Sequence, residues 1–169
     1  YAVAIETALG NAVQNIVCDT QHDAKTAINL LKSQGAGRAT FQPIDAVKGR
    51  DLDEDGLEDC LGYVDKAVNL LKYDAIYSEI ISSLLGKTVV AEDLTCAIEI
   101  AKKYDQRFKI VTLDGQVINA GGSITGGSGT QNAGILSRST EIEKLTKKSE
   151  ALKKDIAELT DGYTKLTAE

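Results

Sequence analysis

Along the first 120 residues, stretches with the hydrophobic spacing of helices alternate with short apolar runs typical of strands. Apolar residues spaced by three and four predict helices, which cover residues 1–9, 20–35, 75–85 and 93–103. Short apolar runs between polar or turn residues predict buried strands, which cover residues 16–18, 38–41, 88–91, 108–113 and 116–118. Strands that alternate with helices in this way are typical of an α/β domain.

Local signals fix several of these boundaries. Thr20 followed by Asp23 matches a capping box, which marks the start of a helix. Asp93 is a predicted N-cap for the helix that follows it. Asp114-Gly115 between two apolar runs predicts a tight hairpin turn.

The two halves of this α/β region resemble each other. Each predicts a helix, a strand, a capped helix and a second strand, and the opening helices share identical residues. The superposed pairs are Tyr1 with Tyr77, Ile5 with Ile81, Leu9 with Leu85 and Gly10 with Gly86. This indicates an internal repeat. The alternative is chance agreement between two amphipathic helices.

Residues 121–128 interrupt the pattern with the run Gly-Gly-Ser-Ile-Thr-Gly-Gly-Ser. Glycine leaves no side chain in the way, so the run predicts a strand or bulged loop that a phosphate or another backbone approaches closely. No lysine follows these glycines as a P-loop requires, and the run comes at the end of the α/β region, where a dinucleotide fingerprint does not occur. The pattern therefore favours a backbone.

Beyond Ser139 the apolar positions form a heptad seam. The isoleucines and leucines of this seam are Ile142, Leu145, Leu152, Ile156, Leu159 and Leu166. Steps of three and four sustained over four heptads are typical of a coiled coil. A lone helix of this kind is marginally stable in water, so the seam predicts a partner helix. An ordinary amphipathic helix that folds back on the domain is the alternative.

Composition excludes several classes of protein. No apolar run approaches the roughly 18 residues of a membrane span. Three widely spaced cysteines and one histidine favour a reduced cytosolic protein without a disulfide framework or a metal site. No nucleophile and base stand in a recognisable motif, so we predict no catalytic residues and no enzyme activity. A first residue Tyr1 and the absence of methionine indicate an excised fragment.

The net charge of −6 is concentrated in residues 45–65, and the rest of the chain sums to zero. Within this segment, Asp51, Asp53, Asp55 and Gly56 match the opening of an EF-hand loop, but Gly62 stands where the loop requires a glutamate. We interpret the segment as a solvated surface loop or insertion.

Basic residues cluster loosely in two places, near the fourth helix and where the heptads begin. The candidates for contact with DNA phosphates are Lys102, Lys103, Arg138, Lys144, Lys147 and Lys148. No aromatic residues are interleaved with them, so the expected binding is weak and independent of sequence. A solvated helix face is the alternative.

Residues 107–115, Arg-Phe-Lys-Ile-Val-Thr-Leu-Asp-Gly, followed by the glycine run, resemble the hinge domain of structural maintenance of chromosomes (SMC) proteins of the bacterial type. Residues 2–10, 23–28 and 61–63 extend the resemblance over nearly the whole chain. It implies an α/β fold with mixed sheets and two subdomains, followed by a long coiled-coil helix. The implied boundaries are a hinge at 1–137, with subdomains at about 1–62 and 63–137, and a coiled-coil arm at 138–169.

The resemblance further implies a dimerisation hinge for a chromosome condensation and segregation ATPase whose heads lie outside this chain. The implied dimer interface comprises Gly121, Gly122, Ser123, Thr125, Gly126 and Gly127. Implied partners are an identical chain, an antiparallel coiled-coil strand from an N-terminal arm, and DNA, without a cofactor, in the cytoplasm at the nucleoid. The acidic segment is not part of the family pattern. The alternative function is a regulatory domain that binds a nucleotide or calcium through Gly121–Gly129 or Asp51–Asp59.

Overall fold

The computed structural model describes residues 1–127 and 138–167, in two units that span Tyr1–Thr130 and Gln131–Glu169. Helices of the first unit are α1 (Ala2–Leu9), α2 (Gln21–Gln34), α3 (Ser78–Leu85) and α4 (Leu94–Lys103), with 3-10 turns at Gly10–Gln14, Ala67–Leu70 and Ala75–Tyr77. Its strands are β1 (Ile16–Cys18), β2 (Phe41–Pro43), β3 (Tyr63–Lys66), β4 (Thr88–Ala91), β5 (Lys109–Thr112), β6 (Val117–Ile118) and β7 (Ile124–Thr125). The second unit contains α5 (Arg138–Thr167).

The strands form two sheets. β1 and β2 make a parallel pair, and the other sheet has the order β3-β4-β5-β6-β7 with only β4 and β5 parallel. A parallel pair needs a crossover, which α2 supplies for β1 and β2 and α4 supplies for β4 and β5. The predicted α/β fold with mixed sheets is therefore confirmed, and each half contains the predicted order of helix, strand, helix and strand.

The predicted helix caps are present. The Thr20 hydroxyl accepts a hydrogen bond from the Asp23 amide, and the Asp23 carboxylate accepts one from the Thr20 amide. The Asp93 carboxylate accepts a 2.8 Å hydrogen bond from the Cys96 amide, which lowers the pKa of Asp93. These contacts satisfy amides that the first turn of a helix otherwise leaves unpaired.

The five-stranded sheet lies between two hydrophobic cores. Neighbouring residues of a strand point to opposite faces, so Val90, Val111 and Val117 face α1 and α3 while Val89, Ile110 and Ile118 face α4. Residues that cover the first face include Ala4, Ile5, Ala8 and Leu85, and those that cover the second include Ala97, Ile100, Tyr104 and Phe108. A sheet buried on both faces explains why its strands read as continuous apolar runs.

The acidic segment 51–59 is folded onto the second core. Leu52 and Leu57 are buried in the same core as the residues of α4, although Asp53, Asp55, Glu58 and Asp59 are exposed. Donors from the domain bond to the segment's carbonyls: the Lys66 ammonium to Leu52 at 2.6 Å and the Tyr104 hydroxyl to Asp55 at 2.8 Å. The interpretation as a surface loop is therefore confirmed for the acids, but it was wrong in treating Leu52 and Leu57 as solvated.

Three strands differ from the predicted elements. β2 begins at Phe41 instead of residue 38. β3 was not predicted, because Tyr63-Val-Asp-Lys66 has neither an apolar run nor regular alternation. Strand β1 was predicted to be buried, but Ile16 and Val17 are exposed. The two-stranded sheet carries only α2, and one helix cannot cover both of its faces.

The proposed division into subdomains at about residue 62 stays a prediction. The observed packing places α1 against β5 and the 52–57 segment against α4. Residues from before position 62 thus contribute to both cores of the five-stranded sheet.

The described residues of the second unit, 138–167, form one helix. α5 runs for 30 residues, which corresponds to about 45 Å. Ile142, Leu145, Leu152 and Ile156 are exposed on it, whereas the side chains of Leu159 and Leu166 lie outside the described part of the structure. In the described part of the chain, no helix combines the length and apolar composition that crossing a membrane requires.

We expect Leu57→Ala to lower the free energy of unfolding by about 2 to 5 kcal/mol, because Leu57 is fully buried and its truncation leaves a cavity. Leu61→Ala is the matched control: Leu61 is 78% exposed and should cost less than about 0.5 kcal/mol. Urea denaturation of both variants measures the difference. Equal destabilisation of the two variants would show that the acidic segment does not pack as described.

Candidate functional site

Strand β7 ends the five-stranded sheet with an unsatisfied edge. It pairs with β6 through Val117 with Thr125 and Ile118 with Ile124, and no strand of the described chain pairs with its other side. Ile124 is 53% exposed and Thr125 is also exposed. An uncovered edge presents free amide and carbonyl groups, so β7 is a template on which another strand can pair.

The turn between β6 and β7 explains the first two glycines of the run. The Asn119 amide donates to the Ser123 carbonyl and the Gly122 amide donates to the Asn119 carbonyl, both at 2.9 Å. Gly121 and Gly122 have φ of 86° and 90°, a left-handed conformation that glycine adopts without strain. These glycines are needed to make the hairpin, whatever else binds to it.

Gly126 has no such explanation within the chain. Its φ is not positive, and a Cβ built on it would lie 3.4 Å from Gln116 Cγ, which the flexible end of that side chain can accommodate. Gly127 has φ of 140°, so its backbone conformation already favours glycine. Gly126 is thus the residue of the run whose missing side chain is best explained by close approach of another molecule.

The remaining residues of the run are accessible. Ser123 and Thr125 are exposed, and the Asn119 side-chain amide donates to the Ser123 hydroxyl at 3.1 Å. Ser128 and Gly129 lie outside the described residues. The predicted interface residues from Gly121 to Gly127 therefore occupy one hairpin and its following residues, although their contact with a partner stays a prediction.

Further exposed apolar side chains belong to the unit formed by β1, α2 and β2. Ile16 and Val17 of β1 and Ile28 and Leu30 of α2 are exposed. β1 pairs only with β2 among the described strands, so its outer edge is also free. The sequence pattern predicted a buried strand at residues 16–18 and placed Ile28 on the apolar face of the following helix. The signal that could have suggested otherwise is that a two-strand, one-helix unit is too small to bury them.

The predicted DNA-binding lysines do not form one cluster in the first unit. Lys102 is exposed in the last turn of α4. The ammonium of its neighbour Lys103 donates to the Gly56 carbonyl at 3.1 Å and lies 3.3 Å from Cys60 Sγ, and this second contact raises the pKa of Lys103. Lys103 therefore contacts the acidic segment.

The other basic candidates belong to the second unit. Lys144, Lys147 and Lys148 are exposed, and spacings of three and four place them on one side of α5. Arg138 begins the same helix, with its side chain outside the described part. Contact of any of these residues with DNA stays a prediction.

The acidic segment does not assemble a cation site of the EF-hand type. Among the residues that the structure describes, no group of three or more His, Cys, Asp or Glu side chains is arranged to hold a metal ion. Two of its carboxylates have other partners: Glu54 pairs with Arg107 at 2.9 Å and Asp51 accepts from Ser82. The observed contacts give this segment a structural role.

Comparison with known proteins identifies a family. The model of the SMC proteins flexible hinge domain matches residues 1–101. The chromosome partition protein Smc of Bacillus subtilis is 40% identical over 152 residues, which is 88% of this chain and 13% of that protein. The chain thus spans about 13% of the length of this relative.

The chain is also similar to solved structures of SMC hinge domains. The chain matches an asymmetric dimer of the Geobacillus stearothermophilus SMC hinge domain with a TM-score of 0.75 and 42% identity, covering 94% of this chain and 65% of that one. It matches the Pyrococcus furiosus Smc hinge domain with an extended coiled coil with a TM-score of 0.64 and 30% identity, covering 95% and 55%.

We expect Gly121→Ala to lower the free energy of unfolding by about 1 to 2 kcal/mol, because alanine meets a steric penalty at a φ of 86°. Gly121→Asn should be less destabilising, since asparagine visits this conformation more readily. Urea denaturation at one fixed subunit concentration compares the two. An alanine variant as stable as the parent would contradict the described turn.

Proposed function

The chain belongs to the family of SMC flexible hinge domains, and we propose that it is the dimerisation hinge of a chromosome partition protein, joining two coiled-coil arms. The observation that carries this proposal is the unpaired edge of β7 beside Gly126. A strand edge with a glycine next to it can accept a second backbone, and a second copy of the chain is the partner that the similar Geobacillus dimer suggests.

Two surfaces of each copy are suited to a reciprocal contact. β7 presents a free edge with Ile124, and β1 presents a free edge with Ile16 and Val17. If β7 of one copy meets β1 of the other, a second, equivalent contact forms at the opposite side and the pair closes on itself. Closure makes the second contact intramolecular, so strands of two or three residues suffice for a stable dimer.

The arms are proposed from α5. Its exposed seam includes Ile142, Leu145, Leu152 and Ile156, which an antiparallel helix from an N-terminal arm would cover. The similar Pyrococcus furiosus hinge domain has an extended coiled coil, which supports this assignment.

The wider role follows from the family. We propose that the hinge acts without a cofactor and without catalysis of its own, and that ATP hydrolysis takes place elsewhere in the full-length protein. A chromosome partition protein would act in the cytoplasm, at the nucleoid. Weak binding to DNA is proposed for Lys102 and for the basic residues Arg138, Lys144, Lys147 and Lys148 of α5. Lys103 is left out of this set because its ammonium donates to the Gly56 carbonyl and contacts Cys60 Sγ.

We expect Gly126→Val to dissociate the dimer, because the added side chain occupies the space that the second backbone needs. Analytical ultracentrifugation at micromolar concentration gives the association state, and the circular dichroism spectrum shows that the fold is kept. Ala75→Val, at an exposed position in a 3-10 turn, is the matched control and should remain dimeric. A monomeric parent chain, or a dimeric Gly126→Val variant, would contradict the proposal.

We expect replacement of Lys144, Lys147 and Lys148 by glutamine to weaken DNA binding and to reduce its salt dependence. The logarithmic slope should fall by about 0.9 for each DNA phosphate that the variant no longer neutralises. Fluorescence anisotropy with a labelled duplex measures both quantities. The control replaces Lys25, Lys48 and Lys87, which are exposed in the first unit and carry the same charge. Equal effects of the two triple variants would contradict a DNA site on α5.

A further inference from the structure

The turn after α4 has an unusual backbone. Asp105 and Gln106 have φ of 53° and 50°, and they are the non-glycine residues with positive φ in the described part of the chain. L-residues other than asparagine and aspartate seldom adopt this conformation, and two in succession are rarer. The Asp105 amide donates to the Lys102 carbonyl and the Gln106 amide to the Ala101 carbonyl, which makes Asp105 the left-handed residue of a Schellman cap at the end of α4. The left-handed conformation of Gln106 is additional to this cap, and such a conformation persists only where surrounding contacts enforce it.

Contacts on the α4 side enforce this turn. The Gln106 amide donates to the Ala101 carbonyl at 2.8 Å, and the Arg107 amide donates to the Tyr104 carbonyl at 3.2 Å. Tyr104 is itself buried in the second core and bonded to the acidic segment through its hydroxyl. The turn is therefore fixed to the rigid part of the domain.

On its other side the turn holds the β6–β7 hairpin. The Gln106 carbonyl accepts a 2.8 Å hydrogen bond from the Gly121 amide, at the tip of that hairpin. The Gln106 side chain also lies against Gly122, where an added Cβ would be 3.5 Å from Gln106 Cγ. The left-handed backbone of Gln106 thus aims its carbonyl at the hairpin that carries the free edge.

We propose that the left-handed conformation at Gln106 positions the β7 edge for binding a second copy of the chain. This inference rests on the proposed function. β6 is held in the sheet by β5, but β7 contains two residues, pairs with β6 alone among the described strands and is exposed, so its pairing contributes little stability by itself. Its attachment to Gln106 orders the edge before the partner arrives, so that binding does not carry the entropic cost of that ordering.

The test compares two substitutions at this position in the 169-residue chain. Gln106→Val disfavours positive φ and turns the carbonyl away, whereas Gln106→Gly removes the side chain but retains the left-handed backbone. Two quantities are measured: the dissociation constant of the dimer by ultracentrifugation, and the hydrogen-exchange rate of the Gly121 amide by NMR.

For Gln106→Val we expect the dissociation constant and the Gly121 exchange rate each to rise by about tenfold or more, while the amides of Val90 and Val111 keep their protection. For Gln106→Gly we expect both quantities to stay within about threefold of the parent. If Gln106→Val lowers protection in the core, Gln106→Ala replaces it, since alanine also disfavours positive φ without a branched side chain.

Three results would overturn the inference: a dimer of unchanged affinity in Gln106→Val, weaker dimerisation without faster exchange at Gly121, or equal weakening in both substitutions. The Gly126→Val variant separates this inference from the proposed function. If Gly126→Val dissociates the dimer and Gln106→Val does not, only the positioning role fails. If the parent chain is a monomer, the proposed dimerisation function itself is contradicted.

Discussion

Every buried backbone amide and carbonyl must find a hydrogen-bond partner, and the strands inside the five-stranded sheet meet this requirement through pairing on both sides, whereas its edge strands do not. β4 and β5 lie inside the sheet and are paired on both sides, and α1, α3 and α4 cover its faces. β7 is paired on one side only and is exposed. The rest of the fold holds this strand at the surface with its outer hydrogen-bonding groups available.

The two cores result from the alternation of side chains along each strand, and the same strands lead to the free edge. Side chains at successive strand positions face opposite layers, which is why Val89 and Val90, or Ile110 and Val111, belong to different cores. The helices that cover these residues do not extend over Ile124, so the sheet passes from fully buried to exposed within two strands. Leu52 and Leu57 of the acidic segment complete the core on the α4 side of the sheet. The same segment accepts a hydrogen bond from Tyr104 and thereby helps to fix the turn that contacts the hairpin.

Sequence patterns predicted the parts of the fold that local chemistry determines. Thr20 and Asp93 cap their helices as expected, and residues 88–91 form the predicted strand, because caps and apolar runs act over a few residues. Leu57 was not recognised as a core residue, since acids surround it and its burial depends on α4, far away in sequence. The glycine run was identified as a site, but its glycines were not distinguished, because backbone dihedral angles are set by the hairpin and do not appear in composition.

That distinction changes how the run is understood. Gly121 and Gly122 are required by a turn, and Gly127 by its φ, so their presence would be expected even in a chain that never meets a partner. Only Gly126 lacks an internal reason among the glycines of the described run. The glycine run therefore contains two residues that build the hairpin, Gly121 and Gly122, and one residue, Gly126, that leaves space beside the β7 edge. Because Gln106 holds the same hairpin to α4, the shape of the edge and the space next to it are both fixed before any partner binds.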